Sequence, residues 1–249
     1  MILSSLSYCL DIYYKRSTMA VERTKYSIQA RIRYKGNLVD VLDRIRAIRL
    51  VLMVHIEQDL GKGAELVTLK VLSPYDSKDA SGLLRAAIRD ENPVIFLEHE
   101  LLYNEKFDID NNEEHITIGK AKVMKEGSDI SIISYSRGLE TAFEVEKALS
   151  QKSISAEIIN LRTLKPLDKD TLIKSIKKTN KVVVIEEGWS QSGVGSEVIS
   201  VIVENAFDYL DAEPLRFSGK DIPLPYAENL EKLALPSAEE IVKKCLEIC

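Results

Sequence analysis

Cysteine and histidine are scarce in this sequence. Three cysteines (Cys9, Cys245, Cys249) and three histidines (His55, His99, His115) occur in 249 residues, and neither set has the spacing of metal ligands. A disulfide scaffold and a zinc module are excluded, and a multi-histidine metal centre would need nearly every ring in one place. The odd, low cysteine count fits a reducing compartment. No stretch approaches the roughly eighteen uninterrupted apolar residues that a membrane-spanning helix needs, so no membrane span is expected. Internal repeats and low-complexity tracts are absent as well. With 34 basic and 39 acidic side chains the net charge is −5, which argues against a surface built throughout for nucleic acid.

What is present is a core. Apolar residues make up 45% of the chain, enough for one large domain or two ordinary ones. Up to Lys35 there are seven basic residues against Asp11 and Glu22, a composition shared by transit peptides and plain polar leaders. Leu38, Val41, Leu42, Ile45, Ile48, Leu52, Ile56 and Leu60 then recur at helical steps, which predicts an amphipathic helix closing near Gly61 and Gly63. His55 lies on that helix, where a lone histidine is more often packed than catalytic. Arg31, Arg33, Lys35, Arg44, Arg46 and Arg49 also allow this region to be read as an arm for lipid or nucleic acid.

Residues 67–103 read strand, turn, helix, strand. Val67 to Leu72 is β-prone, Asp76 with Asp79 forms a capping pair, and the helix runs to about Arg89. Asn92-Pro93 breaks the chain before Val94-Ile95-Phe96-Leu97, the kind of run that is buried on both faces of a sheet. Residues 104–115 are polar and acidic, the expected domain boundary. From Ile116 onward strands and helices alternate: strands at 129–134, 156–161, 181–185 and 214–218, and helices at 138–150, 168–179, 194–207 and 237–248. Asp168 caps the second of those helices, and Ser237 with Glu240 forms a capping box on the last. Such alternation requires a mostly parallel sheet covered on both faces, a three-layer α/β domain over 116–249.

Four places invite chemistry. The loop from Glu186 to Gly195 follows a strand and opens a helix, but it lacks the third glycine and the distal acid of a dinucleotide fingerprint, so a tight turn with a packed Trp189 is the better reading. Glu98-His99-Glu100 ends a buried strand, where alternation sends neighbours to opposite faces. Cys245 and Cys249 lie four apart on the final helix, an arrangement that suits a thiol pair but is more often two isolated thiols. At the turn of Ala87, Ile88, Asp90 and Asn92 the last helical carbonyls meet two oxygen-bearing side chains, a set that can hold a cation or simply form the turn.

Several long motifs carry a resemblance. Leu69-Lys70-Val71-Leu72-Ser73-Pro74-Tyr75-Asp76-Ser77-Lys78-Asp79-Ala80 is followed by Ala87-Ile88-Arg89-Asp90 and Asn92-Pro93-Val94-Ile95-Phe96-Leu97-Glu98. Further on stand Ile159-Asn160-Leu161-Arg162-Thr163-Leu164-Lys165-Pro166-Leu167-Asp168, Val184-Ile185-Glu186-Glu187-Gly188-Trp189, and Gly219 to Ala227. In order and spacing residues 69–249 resemble the beta subunit of the decarboxylating component of pyruvate dehydrogenase; residues 1–66 do not. The resemblance implies a transketolase-like C-terminal domain preceded by a truncated α/β pyrimidine-binding-type domain, with 67–103 its remnant. It implies thiamine diphosphate and Mg²⁺ held mainly by an alpha subunit in a heterotetramer that feeds a lipoyl-bearing acyltransferase, in the bacterial cytoplasm or the mitochondrial matrix. It implies a K⁺ site at Ala87, Ile88, Asp90 and Asn92. The family's active-site histidine corresponds in position to His55, 18 residues before Ser73, although its neighbours differ. The family's cofactor-activating glutamate has no match, leaving Glu22, Glu57 and Glu65 as the N-terminal glutamates. The alternative from another class is a non-catalytic assembly module that keeps only the docking domain.

Overall fold

A computed structural model of the chain describes residues 10–15, 27–32, 69–107 and 116–249. Two five-stranded sheets organise it. The first begins with β1 (Leu10–Lys15) and β2 (Ser27–Ile32), an antiparallel pair. These strands fall in the region where periodicity marked only a helix, and the predicted helix over 38–60 lies outside the described residues. β2 runs parallel to β4 (Val94–Phe96), which runs parallel to β3 (Lys70–Leu72).

Helix α1 (Ser77–Arg89) connects β3 to β4. Asp76 caps it, its side chain accepting the Asp79 N–H at 2.6 Å. Asp79, Leu83 and Ala87 recur at four-residue steps and form the buried stripe, the periodicity that makes this segment an amphipathic helix. The capping box is only half formed. The Asp79 carboxylate turns inward to partners in the C-terminal half, because a buried carboxylate needs a counter-charge more than an exposed backbone N–H needs a second acceptor.

The second sheet has the order β10-β9-β6-β7-β5. Its strands are β5 (Lys122–Lys125), β6 (Ile130–Ser134), β7 (Ala156–Asn160), β9 (Val182–Trp189) and β10 (Leu215–Gly219). All neighbours are parallel except β5, which runs antiparallel on the edge. β6 and β7 are buried at every position, as expected of strands covered on both faces. Helices α2 (Gly138–Ser150) and α6 (Ala238–Ile248) cover one face through Leu139, Val145, Leu149, Ile241 and Cys245. On the other, α3 (Lys169–Thr179) and α4 (Val194–Ala206) pack Leu172, Ile176, Val198 and Ile202 against Ile133, Ile159 and Val184. The three-layer α/β architecture is therefore present. A short helix, α5 (Glu228–Ala234), precedes α6.

Three local details differ from the sequence reading. β9 runs past Ile185 to Trp189, because β10 stays paired with it through a bulge that sets Gly219 opposite Trp189. Ser237 is the N-cap of α6 but its hydroxyl makes no cap bond; the backbone carbonyl alone accepts, from Ile241 N–H. The third concerns β8 (Thr163–Lys165), too short to signal itself, which leaves the C-terminal layers and pairs antiparallel with β3. The polar stretch expected to divide the chain separates two regions in sequence, yet a strand from one completes the sheet of the other.

Asp168 caps α3 as expected, and it does more. Its carboxylate accepts from Thr171 Oγ1 at 2.8 Å, Ala121 N–H at 3.0 Å, Lys120 Nζ at 3.3 Å and Thr171 N–H at 3.4 Å. Burial pushes its pKa up, but the hydrogen bonds from Thr171, Ala121 and Lys120 outweigh burial and hold it below the usual aspartate range. A lowered folded pKa means stability that is present above the unfolded pKa and is lost as pH falls through the folded one. Asp168→Ala is expected to cost about 1–2 kcal/mol at neutral pH. In urea melts the gap to the parent protein should close as the pH is taken into the acid range.

Candidate functional site

In open parallel sheets ligands gather at the carboxyl ends of the strands, and here those ends face the β3–α1–β4 unit. β9 delivers Glu186 and Glu187 there on opposite faces, as strand alternation demands. Glu186 is buried and accepts from Arg216 Nη2 at 2.5 Å, Arg216 Nε at 2.9 Å and the Gly195 N–H at 3.0 Å. Arg216, on the neighbouring β10, also donates to Ser196 Oγ at 2.6 Å and to the Ser190 carbonyl. A Cβ at Gly193 or Gly195 would stand 2.6 or 2.7 Å from Glu186 Oε1, so these glycines let the turn close on the carboxylate. The N-terminus of α4, which would otherwise attract a phosphate, is filled by the chain's own carboxylate. That is why the loop is a tight turn and not a dinucleotide cradle. Trp189 is half-buried at its start.

Glu187 turns the other way. Its Oε2 lies 3.2 Å from His99 Nε2 and its Oε1 3.4 Å from Arg137 Nη1, while Arg137 Nε donates to Glu140 at 3.1 Å. His99 Nδ1 accepts the Leu101 N–H at 3.2 Å, and its Nε2 edge faces the carboxylate. The two flanking glutamates do not join. Glu98 accepts from Tyr103 Oη at 2.7 Å and Glu100 is exposed, the separation that alternation predicts. Arg137 and Glu187 open onto a polar cleft of ≈ 320 Å³ shared with Lys232 and Ser237.

A third cluster ties α1 to the C-terminal layers. Arg162 Nη2 lies 2.7 Å from Asp79 Oδ1, Asn160 Nδ2 donates to Asp79 Oδ2 at 2.7 Å, and Arg162 N–H donates to Asn160 Oδ1 at 3.1 Å. Burial pushes the Asp79 carboxyl above the usual aspartate range, a rise that the Arg162 charge opposes. Arg162 sits at φ 56°, a left-handed conformation that aims its side chain back at α1, and its carbonyl accepts the Ser73 N–H at 2.7 Å. None of Arg137, Asn160, Arg162 or Arg216 stood out as a site residue in the sequence. Their position just after, or within, predicted parallel strands was the available signal.

The Ala87–Asn92 turn is well ordered by its own side chains. Asp90 N–H closes α1 on the Ala86 carbonyl at 3.0 Å. Asp90 Oδ1 accepts Asn92 N–H at 2.9 Å and Asn92 Nδ2 at 3.1 Å, and Oδ2 pairs with the Lys70 ammonium. Burial raises the Asp90 pKa, but Lys70 and Asn92 together hold it low. The Asn92 N–H that would continue the helix to Ile88 is thus spent on Asp90, and Pro93 has no N–H to offer Arg89. Backbone carbonyls are the donors that suit a singly charged ion here, whereas the Asp90 carboxylate already holds a cationic side chain. His55 lies outside the described residues. Cys245 is buried, its thiol pushed up to about 12 by desolvation, while Cys249 is exposed; the two do not form a reactive pair. Among the described residues no group of three or more His, Cys, Asp and Glu side chains is placed to hold a metal, and no helix is long and apolar enough to cross a membrane.

Comparison with known proteins accounts for this arrangement. Residues 119–241 match the family described as "Transketolase, C-terminal domain". The chain is 51% identical over 181 residues to "Pyruvate dehydrogenase E1 component subunit beta" of Rickettsia bellii, covering 73% of this chain and 56% of that protein. It is 50% identical over 178 residues to the mitochondrial counterpart of Dictyostelium discoideum, covering 70% and 50% of the two chains. To the mitochondrial beta-1 subunit of Oryza sativa subsp. japonica it is 47% identical over 190 residues, covering 75% and 51%. The chain thus spans about half the length of the curated relatives it matches. Among solved structures, "Split gene transketolase, inactive beta4 tetramer" shares the fold at a TM-score of 0.61 and 24% identity, over 73% of this chain and 57% of that one. Nearly three quarters of the sequence is thus similar to pyruvate dehydrogenase E1 beta subunits, and residues 119–241 to a transketolase C-terminal domain.

Proposed function

We propose that this chain acts as a beta-type subunit of the decarboxylating component of pyruvate dehydrogenase, working with an alpha subunit in a heterotetramer. The reaction would be oxidative decarboxylation of pyruvate with acetyl transfer to a lipoyl group on an acyltransferase core. The observation that carries this reading is the 51% identity over 181 residues, a stretch long enough to include the whole C-terminal domain and the α1 unit docked on it. Thiamine diphosphate, when bound, would supply the electron sink for decarboxylation. The described residues offer it no diphosphate cradle, since the helix N-terminus nearest the strand ends holds Glu186. In this reading the diphosphate and Mg²⁺ belong to the alpha subunit and the C-terminal domain of this chain serves assembly. His55 remains the proposed active-site histidine. A reducing compartment fits the three cysteines: the bacterial cytoplasm, with the mitochondrial matrix as the alternative.

A second reading, an assembly module without catalysis, draws on the exposed apolar side chains of the C-terminal segment. Ile222, Leu230, Leu233 and a fully exposed Tyr226 present more apolar surface than an isolated domain needs. Both readings require docking, so the first experiment is co-expression with an alpha subunit. Co-elution in a two-to-two complex supports either one, and elution of the two chains apart removes both.

K⁺ is proposed at the carbonyls of Ala87, Ile88, Asp90 and Asn92. Linkage then requires the melting temperature to rise with K⁺ beyond the effect of equal ionic strength of tetramethylammonium. Asp90→Ala, which frees Lys70 and unpins Asn92, should abolish the K⁺-specific part. Equal shifts from both salts in the parent chain would remove the ion.

A further inference from the structure

We propose that the cleft between β8 and the N-terminal end of α4 is a binding site for a small carboxylate bearing an apolar chain. This goes beyond the role as a beta-type subunit and does not depend on it. The cleft holds ≈ 530 Å³, within the roughly 300–1,000 Å³ typical of small-molecule sites. It opens at the carboxyl ends of β6 and β9, where parallel sheets place ligands, and it is bounded by β8, by the turn that follows it and by the start of α4.

Its lining sorts by chemistry. Tyr135, Leu164, Leu167 and Val194 give it apolar walls, and Lys165 and Lys169 stand on the β8 side. Two acids also line it, Glu186 and Glu197, but Glu186 is held by Arg216 and the Gly195 N–H. Two lysines therefore line the cleft with one acid, Glu197, beyond the Glu186 that Arg216 neutralises, so the charge of the lining favours an anion. The form of the anion follows from the walls and from α4. With the Gly195 N–H committed to Glu186, the helix end lacks the open set of N–H groups that grips a compact phosphate. An apolar chain, by contrast, removes the walls from water at roughly 25 cal/mol per Å². A carboxylate on a chain of several carbons meets both demands, its head at the lysines and its tail along Leu164 and Leu167. A ligand placed there touches β8, which pairs with β3, and α4, so it bridges the first sheet and the C-terminal layers.

Octanoate is the probe. Titrated calorimetrically into the full chain it should bind saturably at one site with Kd of about 1 mM or tighter, and amide shifts in NMR spectra should centre on residues 164–169 and 192–197. Lys169→Glu, an exposed position whose change leaves the fold intact, should weaken binding about three- to tenfold. Leu167→Trp, which fills the cleft, should abolish it. Octylamine should bind more weakly than octanoate and should gain from Lys169→Glu. The proposal is overturned by non-saturable uptake of octanoate, by shifts centred elsewhere, or by equal affinity for octylamine and octanoate.

Discussion

Arg162→Ala is expected to cost about 3–5 kcal/mol, the usual loss when one partner of a buried ion pair is removed. Asp79 is fully buried, and its two oxygens meet Arg162 and Asn160. Without the guanidinium the carboxylate keeps its desolvation penalty and loses its counter-charge. Burial already raises its pKa, and Arg162 is the leading influence opposing that rise, so the variant's Asp79 should titrate higher still. The sign follows: an acid with a raised folded pKa contributes stability that is present below the unfolded pKa and lost as pH rises through the folded value. The Arg162→Ala deficit should therefore be largest at neutral pH and shrink on acidification, when the carboxyl becomes neutral. The double variant Asp79→Leu/Arg162→Met, which removes both charges and keeps apolar volume, should recover most of the loss. Chemical denaturation at two pH values checks both statements. A deficit that is independent of pH, or no rescue by the double variant, would show that Arg162 acts only by shaping the backbone at β8.

Activity should fall further. If the chain acts as the proposed beta-type subunit, then assembled with an alpha subunit it should turn over pyruvate about 10²–10⁴-fold more slowly than a beta chain that carries the cofactor-activating glutamate, the range lost with one general acid–base group. Alone it should bind thiamine diphosphate negligibly and decarboxylate nothing. The expectation rests on residues 1–66, where no stretch resembles the family's glutamate motif. Steady-state assay of the reconstituted pair decides it. A full rate would require Glu22, Glu57 or Glu65 to take over the role, which Glu→Gln substitution at each would reveal as a drop in kcat at unchanged assembly.

The three-layer domain was legible because its signals are local. The Val182–Ile185 stretch of β9 announces itself as a continuous apolar run, and Ile130–Ser134 and Ala156–Asn160 as short isoleucine-rich segments between helices. Asp76 and Asp168 mark helix starts by the hydrogen bonds their side chains make within a turn. Likewise Asn92-Pro93 ends a helix by the chemistry of proline alone. The motifs that suggested the family were legible for a related reason, since each is a strand end with its turn and keeps its spacing whatever the rest of the chain does.

Tertiary structure alone decided which strand ends meet. Periodicity could not announce that the short β8 would leave its neighbours to pair with β3, because three residues carry too little pattern and the pairing depends on where two sheets come to rest. Asp79 looked like half of a capping box until Arg162 and Asn160, some eighty residues on, were brought to it. Glu186 and Glu187 are neighbours in sequence; strand alternation sends one to plug the end of α4 and the other to His99 and Arg137. Local chemistry sets the elements and their caps. Burial of charge, which exists only once the sheets have packed, selects the partners.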